Sequence, residues 1–245
     1  LSIYKKYAMQ LVEQGHAYYC FCTKERLKNL REEQQSKGYP VTKYDKHCLT
    51  LTKEQIEHNL ALGTDYVIRL NVPSDQTINF NDQVYGEISF NTDDIDDQVL
   101  LKSDGFPVYH LAVVVDDHLM NITHIMRGND WIPSTPKHIL LYKAFGWEVP
   151  NIIHLPNLKE LGGDKKLSKR FGSVFAMEFL KEGYLVEALL NFLMFLGWNP
   201  GTDKEIYSLQ EFINDFDISR IQKTDLVAFD RQKLLWINGH YIREY

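Results

Sequence analysis

Apolar side chains near the start of the chain recur every three to four residues, as they do on one face of an amphipathic helix. Ile3, Tyr7 and Leu11 form such a face, and Gly15 supplies a helix end. The same spacing returns in two segments that are richer in charge. The pattern therefore predicts helices over 1–15, 24–37 and 52–63.

The period then changes from about 3.6 residues to two. Tyr66, Ile68 and Leu70 alternate with polar residues, which is typical of a strand with one buried face. The alternation continues at Ile78/Phe80 and at Ile88/Phe90. This change of period predicts that residues 16–104 form a small α+β module.

A further change begins near Phe106. The run Leu111–Val115 is apolar and largely β-branched, which predicts a strand that is buried on both faces and ends at Asp116-Asp117. We also predict a strand over 122–126, a helix from Thr135 to Gly146, and a short strand over 152–155. This order of elements resembles half of an open α/β nucleotide-binding sheet.

The remainder of the chain has a helical pattern throughout. The predicted helices cover 173–180, 185–196, 209–216 and 230–241.

The Asp116-Asp117 pair has two interpretations. One is a metal or acid–base site; the other, which the sequence favours, is helix capping and charge pairing at a strand end.

One loop carries an unusual concentration of positive charge. Between Gly162-Gly163 and Gly172, residues 165–170 include three lysines and one arginine. Cations this close repel one another unless an anion takes up their field, so the loop suits a polyphosphate. Taken without its neighbours, the loop is more simply interpreted as a solvated basic turn.

Composition narrows the choice of partners. The formal net charge of the 245 residues is −6, which argues against a uniformly basic surface that coats nucleic acid. Charge is uneven, however, because 24–46 holds seven Lys or Arg against four Asp or Glu, whereas 93–97 holds four Asp and no base. Any RNA contact should therefore be local and sensitive to salt.

Three cysteines are too few for a disulfide framework. No apolar run approaches the roughly 20 residues of a membrane span, and no signal peptide opens the chain. A reducing cytoplasm is the expected location, with no membrane partner. Because the chain begins with Leu1 inside a predicted helix, we also expect it to be a piece of a longer polypeptide.

Several motifs occur in one order along the chain. They are Leu101–Gly105 before Tyr109, Val115–Asp117, Arg127–Trp131 with Ser134–Pro136, Lys166–Arg170, Glu187–Asn191 with Gly197-Trp198, and Lys233–Asn238. Together they resemble glutamyl-tRNA synthetase, a class I aminoacyl-tRNA synthetase, over about residues 1 to 245. Residues 166–170 resemble the family's K-M-S-K-S motif, with Leu167 for Met and Arg170 for the last Ser. The family's H-I-G-H motif has no counterpart here and belongs upstream of Leu1.

This resemblance implies an α/β fold, with the second half of a class I Rossmann-like nucleotide-binding domain. It assigns 1–107 to an inserted α+β module that binds the tRNA acceptor end, with a helical lead-in. Residues 108–163 correspond to the second half of the catalytic domain. Residues 164–245 correspond to the lysine loop and an α-helical stem-contact domain.

The resemblance also implies a site for ATP with Mg²⁺ and for L-glutamate. ATP contacts are expected from Asp130, Trp131, Leu158, Lys166, Ser168 and Lys169. Of these, Lys166 and Lys169 have the catalytic role of stabilising charge on the phosphates. Tyr109 and Arg127 are expected to bind glutamate, since a guanidinium suits a carboxylate bidentately. Val113 stands where some members carry asparagine, so that contact is not expected here. For Trp131, a role in the core is an equal alternative.

Cys20, Cys22 and Cys48, with Tyr44, resemble a structural zinc site found in some members. Zinc takes four N, S or O ligands in a tetrahedron, and three thiolates and one further group satisfy it. The fourth ligand stays open, because Tyr44 matches the family spacing whereas His47 is the better ligand in general chemistry. Buried free cysteines without metal are the alternative.

The function implied is that of a glutamate–tRNA ligase acting on tRNA-Glu in translation, as a monomer. Whether tRNA-Gln is also charged is not decided by this sequence. The piece alone is expected to be inactive, because the family's other half of the ATP site is absent. Two alternatives remain: the paralogue that attaches glutamate to a modified tRNA base, and a non-catalytic tRNA- or protein-binding module. Residues 225–245 argue against the paralogue, and Arg127 with the lysine pair argues against a mere binder.

Overall fold

The computed structural model describes residues 1–167 and 176–244. The helices are α1 Ser2–Glu13, α2 Lys24–Ser36, α3 Lys53–Ala61, α4 Tyr109–Leu119, α5 Thr135–Phe145, α6 Ala176–Lys181, α7 Val186–Met194, α8 Leu209–Asp215 and α9 Arg231–Glu244. The strands are β1 Ala17–Cys20, β2 Val67–Leu70, β3 Thr77–Asp82, β4 Gly86–Asn91, β5 Val99–Leu101, β6 His124–Gly128, β7 Asn151–Leu155, β8 Asn157–Glu160 and β9 Leu226–Phe229.

The chain divides into two compact units. The first unit consists of Leu1–Phe80, Ile88–Thr123 and Pro133–Pro150. The second unit consists of Asn81–Glu87, His124–Ile132 and Asn151–Tyr245. Each unit therefore gathers segments that are far apart in sequence.

The first unit contains the predicted α+β elements. Its sheet has the antiparallel order β1-β2-β5, so that β2 is the central strand. The helix predicted from Thr52 is confirmed, because Thr52 and Gln55 form a capping box that satisfies amides at the start of α3. The predicted strands over 78–80 and 88–90 lie within β3 and β4.

The strand predicted at Leu111–Val115 is wrong, because these residues lie inside helix α4. Leu111, Val114 and Val115 are buried at helical spacing, and α4 packs against α1 and α5. A run of five apolar residues fits a buried helix as well as a buried strand, and here packing decides for the helix. Asp116 consequently lies in the body of α4, where it accepts a hydrogen bond from the Tyr4 hydroxyl at 2.8 Å, rather than at a strand end.

The second unit contains parallel strands at its centre. β6 and β7 pair in parallel, with Arg127 opposite His154. Asp82, at the end of β3, pairs with Ile152 of β7, so the tip of the β3–β4 hairpin extends this sheet. The predicted strands over 122–126 and 152–155 are therefore confirmed in kind, with β6 beginning two residues later.

The prediction that everything after the loop is helical is wrong in one place. Residues 226–229 form β9, which pairs in parallel with β8, a strand that the sequence pattern did not indicate. The helices α6, α7 and α9 pack around Phe179, Phe192, Leu234 and Ile237. Residues 173–175 of the first predicted helix lie outside the described residues, and α6 begins at Ala176.

Buried polar side chains fix this helical region. Asn191 of α7 is fully buried, and its side-chain oxygen accepts from the Tyr207 amide at 2.6 Å and from the Tyr241 hydroxyl at 3.0 Å. Asn238 of α9 accepts from the Leu185 amide at 2.8 Å. The asparagines of two sequence motifs thus satisfy buried backbone groups. In the described part of the chain, no helix combines the length and the apolar character that a bilayer crossing requires.

Candidate active site and candidate metal centre

Several predicted substrate residues lie together in the second unit, where strand β6 ends. Arg127 is the penultimate residue of β6, and a short 3₁₀ helix, Asn129–Ser134, follows directly. The turn brings Trp131 back beneath the strand end, so that the Arg127 guanidinium carbon lies 5.6 Å from the centre of the Trp131 ring. A cation over an indole face is an attractive contact that holds the guanidinium in place.

The first lysine of the cationic loop reaches the same strand end. Lys166 Nζ lies 2.8 Å from Asp130 Oδ2, with about half of each side chain exposed. The hydrogen bond from Lys166 lowers the pKa of Asp130, and a weaker one from Asn157 acts in the same direction. Asp130 is therefore ionised at neutral pH. This ion pair joins two motifs that are 36 residues apart in the sequence.

Backbone contacts explain why Lys166 is placed there. The Leu167 amide donates to the Leu158 carbonyl at 2.6 Å, and Lys166 forms a β-bridge with Lys159. The start of the loop thus folds back along β8. Leu158 and Lys166 both line a cavity of about 750 Å³, together with Leu167, Phe179 and Phe229.

A hydrogen-bonded network of side chains and backbone carbonyls holds the segments around Asp130 and Lys166 in place. Asn129 Nδ2 donates to the Tyr85 hydroxyl and to the Asp225 carbonyl, each at 3.0 Å. Asn157 Nδ2 donates to Asn129 Oδ1, and the Asn157 amide donates to the Asp225 carbonyl. Tyr85 in turn donates to the Thr224 carbonyl at 2.9 Å. The network ties the ends of β6, β8 and β9 to the hairpin tip.

Gly128 is tightly surrounded by the side chains of Asp130 and Asn157. A Cβ atom at this position would lie 2.6 Å from Asp130 Oδ1 and 2.7 Å from Asn157 Oδ1. Both distances are far below a normal contact between carbon and oxygen, so a side chain here must displace its neighbours. The glycine of the Arg127–Trp131 motif is therefore needed for the close approach of Asp130 and Asn157.

A second constellation lies in the first unit, around the three cysteines. The sulfurs of Cys20, Cys22 and Cys48 all lie within 4.8 Å of one another. The Tyr44 hydroxyl lies 3.4 Å from the Cys20 sulfur and 3.2 Å from the Cys22 sulfur. Cys22 and Cys48 sulfurs are 3.5 Å apart. Cys20 lies on strand β1, Cys22 follows it, and Tyr44 and Cys48 lie in the loop before the 3₁₀ helix His47–Thr50 and in that helix.

Hydrogen bonds within this cluster shift the pKa values of Cys20, Cys48 and Tyr44. The hydrogen bond from Cys48 is the main cause that lowers the pKa of Cys20, to about 4, although burial acts against it. The same bond raises the pKa of Cys48. Burial, and then the contact with Cys20, raises the pKa of Tyr44. Three sulfurs and a phenolic oxygen thus lie close together, which is a donor set that suits a cation.

The profile described as "tRNA synthetases class I (E and Q), catalytic domain" matches residues 1–236. The chain belongs to this family.

Relatives within the family are close. The chain is 52% identical to the glutamate–tRNA ligase of Clostridioides difficile (strain 630) and 51% identical to that of Alkaliphilus metalliredigens (strain QYMF). Each alignment covers 100% of this chain and 49% of the relative. The chain therefore spans about half the length of the curated relatives it matches.

Solved structures give the same result. The glutamate tRNA ligase of Elizabethkingia meningosepticum CCUG26117, in complex with its amino acid, superposes with a TM-score of 0.91 at 37% identity. The match covers 100% of this chain and 53% of that chain. The glutamate–tRNA synthetase of Elizabethkingia anophelis superposes with a TM-score of 0.90. The predicted α/β class I catalytic fold and the predicted family are confirmed.

The predicted site residues of this class I synthetase are distributed as follows. Arg127, Asp130, Trp131, Leu158 and Lys166 lie in the second unit. Tyr109 begins α4 in the first unit, is 47% exposed, and packs edge-on to the rings of His110 and His138. Ser168 and Lys169 lie outside the described residues, and their roles stay predictions.

The sequence did not predict several residues of the candidate active site and of the candidate metal centre. Asn129 stood inside a quoted motif, and Asn157 next to a predicted site residue, so their position in sequence was a usable signal. Nothing in the local pattern pointed to Tyr85. Arg69, which stacks on Tyr44, was hidden by its place at a polar position of an alternating strand.

Proposed function

We propose that this chain supplies the central part of a glutamate–tRNA ligase, which activates glutamate with ATP and transfers it to the 3′ end of tRNA-Glu. The observation that carries the proposal is the Asp130–Lys166 ion pair beside Arg127 and Trp131, because it unites the family's two substrate motifs in one unit. The names of the relatives, given above, support the same reaction. ATP with Mg²⁺, L-glutamate and tRNA-Glu are the proposed substrates and partners.

In this proposal Arg127 binds the glutamate side-chain carboxylate. A guanidinium presents parallel N–H donors, and its stacking on Trp131 limits the orientations it samples. Tyr109 is proposed as a second glutamate contact. Its exposed ring is available to a ligand, and the neighbouring histidines hold it.

Lys166 is proposed to exchange Asp130 for the phosphates of ATP. The glutamate carboxylate attacks the α-phosphorus and pyrophosphate leaves, so negative charge grows on the phosphate oxygens. A fixed cation stabilises that charge more in the transition state than in the ground state. Lys169 is proposed to act with Lys166. Asp130, Trp131, Leu158 and Ser168 are proposed to contact the rest of the nucleotide.

The donor set of the cysteine cluster suits structural zinc. With Zn–S bonds of about 2.3 Å, tetrahedral thiolates lie about 3.8 Å apart. Three of the separations in the cluster are 3.2 to 3.5 Å, and all three sulfurs lie within 4.8 Å of one another, so modest adjustments reach this geometry. Cys20, Cys22, Cys48 and Tyr44 would hold the ion, which would crosslink β1 to the segment 44–48. His47 is exposed and does not join the cluster, which favours Tyr44 as the fourth ligand.

The finer assignments are part of the same proposal. We assign 1–107 to acceptor-end binding, 108–163 to the catalytic half-domain and 164–245 to the lysine loop and the stem-contact helices. The ligase is proposed to be a cytoplasmic monomer. Charging of tRNA-Gln stays open, and this chain by itself is expected not to turn over.

The test is glutamate-dependent ATP–pyrophosphate exchange by the full-length protein, with and without tRNA. We expect exchange that requires tRNA-Glu, and glutamate esterified to the 3′ end. Lys166→Ala should slow exchange about 100-fold while tRNA binding is retained, by analogy with the loss of one oxyanion donor. Lys165→Ala is the matched control, because Lys165 is an exposed neighbour in the same loop.

Other results would assign other functions. Exchange without tRNA, followed by transfer to a tRNA base, would identify the modifying paralogue. Binding of tRNA with no exchange in the full-length protein would identify a non-catalytic module. An unchanged rate in Lys166→Ala would refute the role of Lys166 within an otherwise active ligase.

A further inference from the structure

A buried arginine lies against the cysteine cluster of the first unit. Arg69 is in the central strand β2, directly beside β1, which carries Cys20. Its side chain is only 7% exposed. The guanidinium carbon lies 4.1 Å from the centre of the Tyr44 ring, and the Tyr44 hydroxyl in turn lies 3.4 Å from the Cys20 sulfur. Arg69 therefore faces the candidate metal ligands from inside the fold.

The other contacts of Arg69 offset its charge only in part. Nη1 donates to the backbone carbonyl of Asp97 at 2.9 Å, and Nε has no hydrogen-bond partner among the described residues. The nearby Asp97 carboxylate is already occupied, because it pairs with Lys46 at 3.1 Å and accepts from the Tyr18 hydroxyl at 2.6 Å. The Asp96 carboxylate lies close by, since Asp96 lines the same cavity as Arg69 and Tyr44, but it accepts a hydrogen bond from the Tyr44 amide at 2.8 Å and makes no ion pair with Arg69 among those found in the described residues. A buried guanidinium without a carboxylate in direct contact is costly, so further negative charge beside it would stabilise it.

A zinc ion bound by this cluster would provide that partner. Three thiolates and Zn²⁺ carry a net charge of −1, and a phenolate from Tyr44 makes it −2. A buried anionic centre is as costly as a buried cation. A guanidinium packed against one of its ligands offsets both costs at once.

We propose that Arg69 is the positioning and counter-charge residue of a zinc centre formed by Cys20, Cys22, Cys48 and Tyr44. Arg69 orients the Tyr44 ring by stacking on it, and its positive charge stabilises the anionic metal–ligand set. The inference rests on the proposed zinc site and goes further by assigning a role to a residue that does not touch the metal. Arg69 thus determines how tightly the site holds zinc.

Two substitutions separate charge from packing. Arg69→Gln removes the charge but keeps an N–H donor for the Asp97 carbonyl, whereas Arg69→Lys keeps the charge and loses the planar stacking. Arg31→Gln is the control, since Arg31 lies exposed on α2 of the same unit. Zinc content is measured by mass spectrometry and affinity by competition with a chromophoric chelator, using the 245-residue chain. Circular dichroism of the metal-free proteins shows whether each variant is folded.

The wild-type chain should bind one zinc ion. Arg69→Gln should bind about 10- to 100-fold more weakly, as is typical when a residue that supports metal ligands is lost. Arg69→Lys should recover most of this loss, and Arg31→Gln should match the wild type. The increase in Tm on adding zinc should be smaller in Arg69→Gln than in the wild type, since binding stabilises by mass action. A purely structural arginine would lower Tm equally with and without zinc.

Two results would overturn the inference and are distinguishable. If the wild type binds zinc and Arg69→Gln binds it with unchanged affinity, the role of Arg69 is wrong while the zinc site stands. If the wild-type chain binds no zinc, the zinc site and the role of Arg69 both fail. If Arg69→Gln fails to fold, the zinc affinity of Arg69→Lys is the deciding measurement. A zinc affinity of Arg69→Lys as low as that of Cys48→Ser would show that a positive charge at position 69 contributes nothing to zinc binding.

Discussion

Asp82→Ala should selectively loosen the second unit at the hairpin tip. Asp82 is 1% exposed and accepts four hydrogen bonds. Its Oδ1 accepts from the Val84 and Tyr85 amides at 2.9 and 2.8 Å. Its Oδ2 accepts from the His154 amide at 3.1 Å and from His154 Nδ1 at 2.7 Å. One carboxylate therefore joins the hairpin tip to strand β7.

The magnitude follows from which donors water can reach after the substitution. Val84 and Tyr85 are only half-buried, so solvent can replace their contacts at small cost. His154 is 1% exposed, and both of its donors to Asp82 would be left unsatisfied. At about 1–3 kcal/mol for each unsatisfied buried donor, local stability should fall by about 2–6 kcal/mol. Asp82→Asn should keep most of this loss, because its NH₂ group would face the His154 donors.

Amide hydrogen exchange of peptides covering 81–87 and 152–155 measures this loss locally. A loss of 2 kcal/mol corresponds to exchange that is about 30-fold faster. Asp104→Ala is the control, since Asp104 also accepts a backbone hydrogen bond, from Phe106, but is exposed. Exchange in the two peptides that stays within threefold of the wild type would refute the reasoning.

The same contact predicts a pH dependence. Burial alone would raise the pKa of Asp82, but hydrogen bonds from His154, Tyr85 and Val84 outweigh it and hold the pKa below its ordinary value. A carboxyl with a lowered folded-state pKa stabilises the protein above its unfolded pKa, about 3.9, and this stabilisation is lost as the pH falls through the folded value. The part of the difference between wild type and Asp82→Ala that comes from the Asp82 carboxylate should therefore shrink below about pH 4.

Two further predictions concern the candidate sites. Gly128→Ala should lower glutamate-dependent ATP–pyrophosphate exchange in the full-length protein by about 10-fold or more, because the new Cβ displaces the Asp130 and Asn157 side chains. Gly163→Ala is the control and should be near wild type, because a Cβ there meets nothing closer than 3.5 Å. Equal rates in the two variants would contradict the argument. Tyr44→Phe should weaken zinc binding in chelator competition by about 10-fold or more, since it removes one ligand of four. His47→Ala should leave zinc binding unchanged. The reverse pattern would make His47 the fourth ligand.

Much of this fold was predictable from sequence periodicity and helix signals. The capping box at Thr52 and the left-handed Gly146 at the end of α5 are local signals, and both ends lie where the sequence predicts. The strand predicted at Leu111–Val115 was wrong because five consecutive apolar residues do not distinguish the period of a helix from that of a strand. Only the packing of α1 and α5 on both sides decides for a helix, and that information is not local.

The strands β8 and β9 show a second kind of limit. Each has four residues, and each finds its partner about 70 residues away, with Asn157 paired to Leu226. Neither strand alternates clearly between apolar and polar residues, and β9 is half-buried throughout. The pairing depends on the backbone of both segments and on the network at Asn129, rather than on either sequence alone.

Arg69 illustrates why site residues are harder to predict than elements. Alternation in β2 predicts a solvent-facing arginine, because a polar residue between two apolar ones usually marks the exposed face. Strand β2 is instead central and covered on both faces, with Ile68, Arg69 and Leu70 all buried. The second cover comes from the segment that carries Tyr44, which is distant in sequence. A polar residue in a covered strand needs a reason, and the cysteine cluster provides one.

In the proposed mechanism, the Lys166–Asp130 ion pair is weak enough to break when ATP binds. Both side chains are about half exposed, so the pair contributes under about 1 kcal/mol. A single cationic or hydrogen-bonding contact to developing charge in a water-excluded site contributes about 3 kcal/mol. In that proposal, breaking the ion pair costs less than the new contact contributes in the transition state, so Lys166 can leave Asp130 for the phosphates as their charge grows. In the resting state, Asp130 still keeps the lysine at the strand end. A fully buried ion pair would instead hold Lys166 away from the substrate, because breaking it would cost more than the new contact returns.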